Sequence, residues 1–269
     1  MTLINQQSPS DSEFTIESDL KVKHYNATVV DKTHLTEDLI IFRVLPDVGV
    51  TKFVPGQYVA LGLVVCSIED GSQKLIKRAY SIGSSPNESG FLEFYIAIVN
   101  QGALSPSLIT LKEGDRIFCA PKITGHFTLE AVPHDSNLLL ISTGTGIAPF
   151  ISMITTTSTW ESSRRITIIH GVRYLNDLGY RNEIEELKNK YPQLHYFPVV
   201  SREHSDFTHR GYVQEIIESN KVKVDPVTDH FLLCGNPAMI VDVEKLLIDR
   251  GFIIHSKKTP GNIHREKYW

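Results

Sequence analysis

Cysteine is scarce in this chain: Cys66, Cys119 and Cys234 are the only three among 269 residues, with no C-x-x-C spacing. An odd count without paired spacing excludes a disulfide framework, a structural zinc site and an iron–sulfur centre, and fits a reducing compartment. The 11 histidines lack metal-ligand spacing; the nearest pair, His204 and His209, reads as solvated loop, so no metal is expected. No long apolar run is unbroken. The stretch 138–154 is interrupted by Ser142, Thr143, Gly144, Thr145 and Gly146, which argues against a transmembrane helix. Lys and Arg are missing from the first twenty residues, which carry Asp11, Glu13, Glu17 and Asp19. Residues 1–20 therefore read as a flexible acidic tail, with the features of neither a secretory signal nor a transit peptide, and a cytoplasmic location is the default. The formal net charge of −4 comes from that tail, because the remaining residues hold 27 basic and 27 acidic groups. A body with no basic excess argues against a nucleic-acid partner.

What is present divides into two patterns. From about residue 24 to 129 the chain reads as short strands at 25–30, 39–44, 57–65, 74–82, 91–99 and 115–119. Turn residues such as Pro55-Gly56, Asp70-Gly71 and Glu113-Gly114 separate them, a spacing that suggests an antiparallel barrel. One helix interrupts this half: Ser105 is placed to cap it, Pro106 to begin it, and Leu104, Leu108 and Leu111 give it an apolar stripe. After Val132-Pro133 the pattern changes. Strand-like segments at 138–142, 166–170, 196–200 and 231–234 alternate with helical ones at 149–157, 177–190, 212–219 and 237–250. Such alternation implies βαβ units and a parallel sheet covered on both faces. The domains expected are a barrel over 21–132 and a doubly wound domain over 133–269.

Several stretches carry chemistry. Along 74–82 the side chains of Arg78 and Tyr80 share one face, so a guanidinium able to grip a pyrophosphate lies beside a phenol able to lie against a conjugated ring. Ser81, at the strand end, offers a hydroxyl to a ring nitrogen. Gly102, Ala103 and Leu104 leave the backbone bare before the helix, where free N–H groups attract anions. Thr143-Gly144-Thr145-Gly146-Ile147-Ala148-Pro149 joins the first strand of the second domain to its first helix. Its glycines permit a tight turn and close approach of a phosphate, and it lacks the lysine of a P-loop. Arg173 stands where a diol-reading site would place a carboxylate, and Arg202 and Arg210 follow the next strand. Three cations at adjacent strand ends suit the 2′-phosphate of NADP(H). Cys234-Gly235-Asn236-Pro237 ends the fourth strand and points at the same crevice, where the thiol reads as a compact wall beside the nicotinamide. Tyr268 and Trp269 read either as a core plug or as rings that stack on a planar cofactor.

Taken together, Arg78-Ala79-Tyr80-Ser81, Gly102 to Pro106, Thr143 to Pro149, Cys234 to Pro237 and Tyr268-Trp269 resemble the ferredoxin/flavodoxin–NADP(+) reductase family, in its bacterial branch. The resemblance covers about residue 24 onward. It implies an N-terminal antiparallel Greek-key barrel that binds FAD and a C-terminal domain that binds NADP(H). It implies an enzyme that passes electrons between NADPH and a ferredoxin or flavodoxin, acting as a monomer. On the FAD side it implies Arg78, Ala79, Tyr80, Ser81, Tyr95, the backbone of Ala103, Leu104 and Ser105, Thr145, Tyr268 and Trp269. On the NADP side it implies Gly144, Thr145, Gly146, Arg173, Arg202, Arg210, Cys234, Gly235 and Asn236. Ser81, Tyr80 and Cys234 are the catalytic set, and Glu266 is the nearest acidic candidate for a proton relay. Plant-type members end at the tyrosine that covers the flavin, whereas Trp269 extends this chain by one residue. Two other readings share these features: a free-flavin or oxygenase-component reductase, and a non-catalytic redox-sensing module.

Overall fold

Six strands that turn apolar side chains into a common sealed interior make the N-terminal half. These are β1 (Ala27–His34), β2 (Leu39–Pro46), β3 (Tyr58–Cys66), β4 (Gln73–Ser81), β5 (Leu92–Ala97) and β6 (Arg116–Cys119). The structure is a computed structural model that describes residues 20–66, 71–87, 90–99, 101–162 and 164–268. Residues 1–19 of the expected acidic tail lie outside the described residues, as does Trp269. The strand order is β4-β3-β6-β1-β2-β5, antiparallel throughout. Hairpins β1–β2 and β3–β4 are joined by β6, which returns between β3 and β1 in a Greek-key path. The two ends of the sheet meet where the Gly83 N–H donates to the Glu93 carbonyl at 2.8 Å. Phe42, Phe94, Leu61, Ile82 and Ile117 are fully buried inside.

Between β5 and β6 lies α1 (Ser105–Leu108), and here the expected cap is corrected. Leu104 occupies the cap position and Ser105 is already helical, because its hydroxyl turns back to accept the Val99 N–H at 3.0 Å. Leu104 and Leu108 are buried, so that stripe belongs to the core.

The second half holds β7 (Asn137–Thr143), β8 (Ile166–Val172), β9 (Leu194–Val200), β10 (His209–Arg210), β11 (Asp229–Gly235) and β12 (Ile263–Lys267). All pair in parallel, in the order β10-β9-β8-β7-β11-β12. Leu138, Leu140, Ile166, Ile168 and Leu232 face α2 (Ala148–Thr155) and α3 (Arg181–Lys190). Leu139, Ile141, Ile169, Phe231 and Leu233 face α4 (Val213–Glu218) and α5 (Pro237–Ile248). Apolar side chains on both faces of the central strands β7, β8 and β11 make this a doubly wound sheet. Strand order reverses between β7 and β11, and crevices at such a switch point accept ligands.

Three local expectations change. The helix expected over 177–190 splits into a 3₁₀ turn, Leu175–Asp177, and α3, with Tyr180 left-handed at φ 63° between them. His209 is in β10 rather than in solvated loop; it stacks on Phe197 and takes a hydrogen bond from Lys221 Nζ at 2.7 Å. Residues 263–267, where the sequence suggested no strand, form the edge strand β12, held along its length by β11.

The two halves share a core. Leu39, Tyr95 and Phe127 of the barrel pack with Ile147, Phe150, Met153 and Tyr180 of the second domain. Buried hydrogen bonds fix the junction: Ser152 Oγ to the Ser84 carbonyl at 2.7 Å, and Tyr180 hydroxyl to Glu93 Oε1 at 2.9 Å. Ser85 and Thr156 hydroxyls meet at 3.0 Å.

Candidate active site

The C-terminal ends of β7 and β11 lie against the open end of β4, so three motifs far apart in sequence become neighbours. Gly146 makes this approach possible. A Cβ there would lie 2.5 Å from the Cys234 carbonyl oxygen and 2.9 Å from Gly235 Cα. Gly235 has the same constraint in reverse, at φ 124° with Thr143 Oγ1 at 2.6 Å from an added Cβ. Thr143 Oγ1 also accepts the Asn236 N–H at 2.9 Å, and Asn236 caps α5 by accepting from the Ala238 N–H at 2.8 Å. The two strand ends are thus sewn together by backbone contacts that larger residues would prevent.

Ser81 ends β4 at this point and is buried. Tyr268 hydroxyl donates to Ser81 Oγ at 2.9 Å, and Ser81 Oγ donates to Glu266 Oε1 at 3.1 Å. Cys234 is in register with Glu266 across β11 and β12, so both side chains leave the same face of the sheet. Burial, then the Glu266 carboxylate, raises the Cys234 thiol well above its ordinary range, and it stays protonated. Burial also raises the Glu266 carboxyl. Burial first, then Cys234, raises the Tyr268 phenol well above 10.0. A hydroxyl, a thiol, a phenol and a carboxyl of raised pKa therefore form one hydrogen-bonding group where the domains touch. Of these, Glu266 was the weakest sequence candidate. Its strand is polar at every position but Ile263 and shows no apolar period, so only pairing with β11 places it.

Tyr80 lies on the opposite face of β4, half-buried and edge-on to Phe94 at 6.4 Å between centroids. Burial lifts its phenol to about 12. Arg78 is exposed, its Nη1 bonded to the Lys77 carbonyl at 2.8 Å, and Ala79 beside it is exposed too. The N–H groups of Ala103, Leu104 and Ser105 precede the first N–H bonded in this turn, Ser107 N–H to the Leu104 carbonyl at 2.9 Å. Tyr95, on β5, lies at the junction with the second domain. It is 4 % exposed, edge-on to Tyr180, with its hydroxyl donated to the Asp177 carbonyl at 3.0 Å. Its ring is spent on joining the domains.

The arginines are brought together. Arg173 follows β8, Arg202 follows β9, and Arg210 belongs to β10; the Arg202 N–H donates to the Arg173 carbonyl at 3.0 Å. All three are exposed, and among the described residues none carries an ion pair. Two further features suit a nucleotide at the switch point. Ser142 Oγ is fully buried with no hydrogen-bond partner among the described residues. Gly144, left-handed at φ 53°, has open space where a Cβ would stand, and half-buried Thr145 follows it. Among the described residues no cluster could hold a metal, and no helix is long and apolar enough to cross a membrane.

A barrel and a parallel sheet meeting at such a crevice define a two-domain oxidoreductase of the flavin and nicotinamide type. Residues 26–127 match the family model described as an oxidoreductase FAD-binding domain, and 140–245 that of an oxidoreductase NAD-binding domain. The chain is 34% identical over 237 residues to the flavodoxin/ferredoxin–NADP reductase of Buchnera aphidicola, covering 85% of this chain and 93% of that protein. It is 32% identical over 254 residues to the ferredoxin–NADP reductase of Pseudomonas aeruginosa, covering 88% and 95%. Among solved structures, a ferredoxin NADP+ reductase from Neisseria gonorrhoeae with bound FAD and NADP superposes with TM-score 0.80 at 26% identity, covering 91% and 98%. This chain belongs to the ferredoxin/flavodoxin–NADP(+) reductase family.

Proposed function

We propose that this chain is a flavoprotein enzyme that passes electrons between NADPH and a small one-electron carrier, a ferredoxin or a flavodoxin. The observation that carries the proposal is the single hydrogen-bonded group in which Ser81 of the barrel meets Cys234, Glu266 and Tyr268 of the sheet. We place the FAD-binding domain at 21–132 and the NADP-binding domain at 133–269.

Arg78, with the backbone of Ala103, Leu104 and Ser105, would hold the FAD pyrophosphate, and Tyr80 would flank the flavin ring. The turn Gly144-Thr145-Gly146 would hold the NADP pyrophosphate, and Arg173, Arg202 and Arg210 its 2′-phosphate. FAD, when bound, supplies the ring that accepts a hydride from NADPH and releases electrons one at a time. Ser81 presents a hydroxyl whose proton is shared toward Glu266, so it can turn toward a ring nitrogen without leaving its place. Glu266, kept closer to protonated by its burial, can give or take a proton through Ser81. Cys234 stays an uncharged thiol and adds bulk without repelling electrons arriving nearby. Gly146 and Gly235 hold the sheet edge close enough for the two nucleotides to share the crevice.

The carrier is acidic in this reading, steered by exposed Lys74, Lys77, Lys257, Lys258 and Lys267. Arg265, between Lys258 and Lys267 in sequence, is paired with Glu244 instead. Trp269 would stack on a cofactor ring, the enzyme acts as a monomer, and it works in the cytoplasm. The test is direct. Purified protein should carry a yellow FAD spectrum that NADPH bleaches, and should then reduce ferredoxin or flavodoxin. A colourless protein, or a bleached one unable to pass electrons to either carrier, would overturn the reading.

A further inference from the structure

His170 stands at the end of β8, fully buried, and the reaction outlined above does not use it. It is in register with Ser142 of β7, so it lies beneath the glycine turn that follows β7. Its Nε2 is 2.9 Å from the Gly144 carbonyl oxygen, and its Nδ1 is 3.5 Å from the Tyr196 hydroxyl. A carbonyl can only accept, so Nε2 carries the proton and Nδ1 receives the tyrosine's. Burial lowers the His170 pKa to about 4, which keeps the ring neutral and in that one tautomer at ordinary pH.

The consequence lies on the other side of the peptide. In a trans peptide the carbonyl and the following N–H point in opposite directions. A Gly144 carbonyl held inward on the imidazole therefore turns the Thr145 N–H outward, toward the crevice. Gly144 is left-handed and opens the 3₁₀ turn Gly144–Ile147, with no atom within 4 Å of where a Cβ would stand, and the imidazole adds a side-chain bond to its carbonyl. We infer that His170 is a positioning residue for the pyrophosphate of the nicotinamide nucleotide, acting through the Gly144 carbonyl to aim the Thr145 N–H at it. The inference rests on the reading that this turn holds NADP(H). It gives His170 a signature the arginines lack. NADPH and NADH share the pyrophosphate, so a fault at His170 weakens both equally, whereas a fault at Arg202 weakens NADPH alone.

The experiment measures KM and kcat for NADPH and NADH, with direct titration of NADP+, on FAD-loaded wild type, His170→Leu and His170→Gln. Losing the donor in His170→Leu should raise both KM values about tenfold, equivalent to about 1.4 kcal/mol, with kcat changing less than about twofold. The Gln amide can reach the Gly144 carbonyl, so His170→Gln should return both KM values to within about threefold of wild type. FAD content should be unchanged in both. Unchanged KM values in folded His170→Leu, or a loss confined to NADPH, overturn the inference. Should His170→Leu fail to fold, His170→Asn decides: its amide falls at the Nδ1 position, serves Tyr196 and misses Gly144. It should show the raised KM values, and an Asn variant matching the Gln variant refutes the role. Wild type that binds no NADP+ would instead refute the nucleotide reading, a separate outcome.

Discussion

Lowering the pH from 7 to 5 should strip stability from the folded chain; His170 and His264 lead the loss, and His209 and His230, also lowered by burial, act in the same direction. His170 is pulled down to about 4 by burial. His264 is pulled to about 4 by burial and then by His255 and His230, whose rings lie 4.5 Å and 5.6 Å from its own. An unfolded histidine titrates near about 6.5. Between those values the unfolded chain binds protons that the folded chain refuses, so the stabilisation is complete above the unfolded pKa and is lost as pH falls toward the folded one. For a shift from about 6.5 to about 4, the loss between pH 7 and pH 5 is about 2 kcal/mol per histidine. His264 lies at the sheet edge and contributes less after solvent screening, so the pair together removes about 2–4 kcal/mol. Glu266 acts in the opposite sense, because a raised carboxyl pKa favours the folded state as pH falls. A typical domain has about 5–15 kcal/mol in total, so the decline is measurable. Urea unfolding of FAD-saturated protein at pH 7, 6 and 5 would follow it, comparing wild type with His170→Gln, which keeps the donor and removes the titrating ring. The variant should lose about 2 kcal/mol less than wild type across that range. An identical decline in both proteins would refute a buried, neutral His170.

Four further outcomes are expected. Arg202→Ala should weaken NADPH about 10- to 150-fold, the equivalent of one charge-assisted contact, and leave NADH nearly unchanged; equal losses for both nucleotides sink the 2′-phosphate assignment. Ser81→Ala removes the link between Tyr268 and Glu266 and should slow flavin reduction in stopped flow about tenfold or more with modest change in NADPH affinity; an unchanged rate would end that role. Gly146→Ala places a Cβ against the Cys234 carbonyl, so the turn must shift, and hydride transfer should slow by about a hundredfold; wild-type rates would mean the close approach is dispensable. Tyr180→Phe withdraws the phenol from Glu93 and should lower the urea unfolding free energy by about 1–3 kcal/mol, and an unmoved midpoint would show that this bond does not hold the domains.

Much of the fold was readable because both halves follow simple periods. The six barrel strands and the four long strands of the parallel sheet all fall within a few residues of their expected places. Two-residue alternation and turn punctuation are local properties of a chain, and burial on one or both faces writes them into residue order. Where a residue's position depends on what packs against it, residue order carries no signal for it. The burial of Tyr95 has no local signal, because the Asp177–Tyr180 segment is what covers it. Ser105 has the composition of a cap, yet a nearby backbone N–H at Val99 competed for its hydroxyl and won.

Residue order alone determined the two-domain plan, the glycine turn, the Arg-x-Tyr-Ser strand and the three arginines, since each is a short stretch whose chemistry is carried by its neighbours. Tertiary structure alone decided that Ser81, Cys234, Glu266 and Tyr268 form one group, for they come from positions up to 187 residues apart. It also decided that the terminal polar residues form a strand and that a silent histidine supports the Gly144 carbonyl. The reason is physical: a side chain's burial, pKa and hydrogen-bond partner are set by what packs against it, and those atoms are brought there only by the closed barrel and the wound sheet.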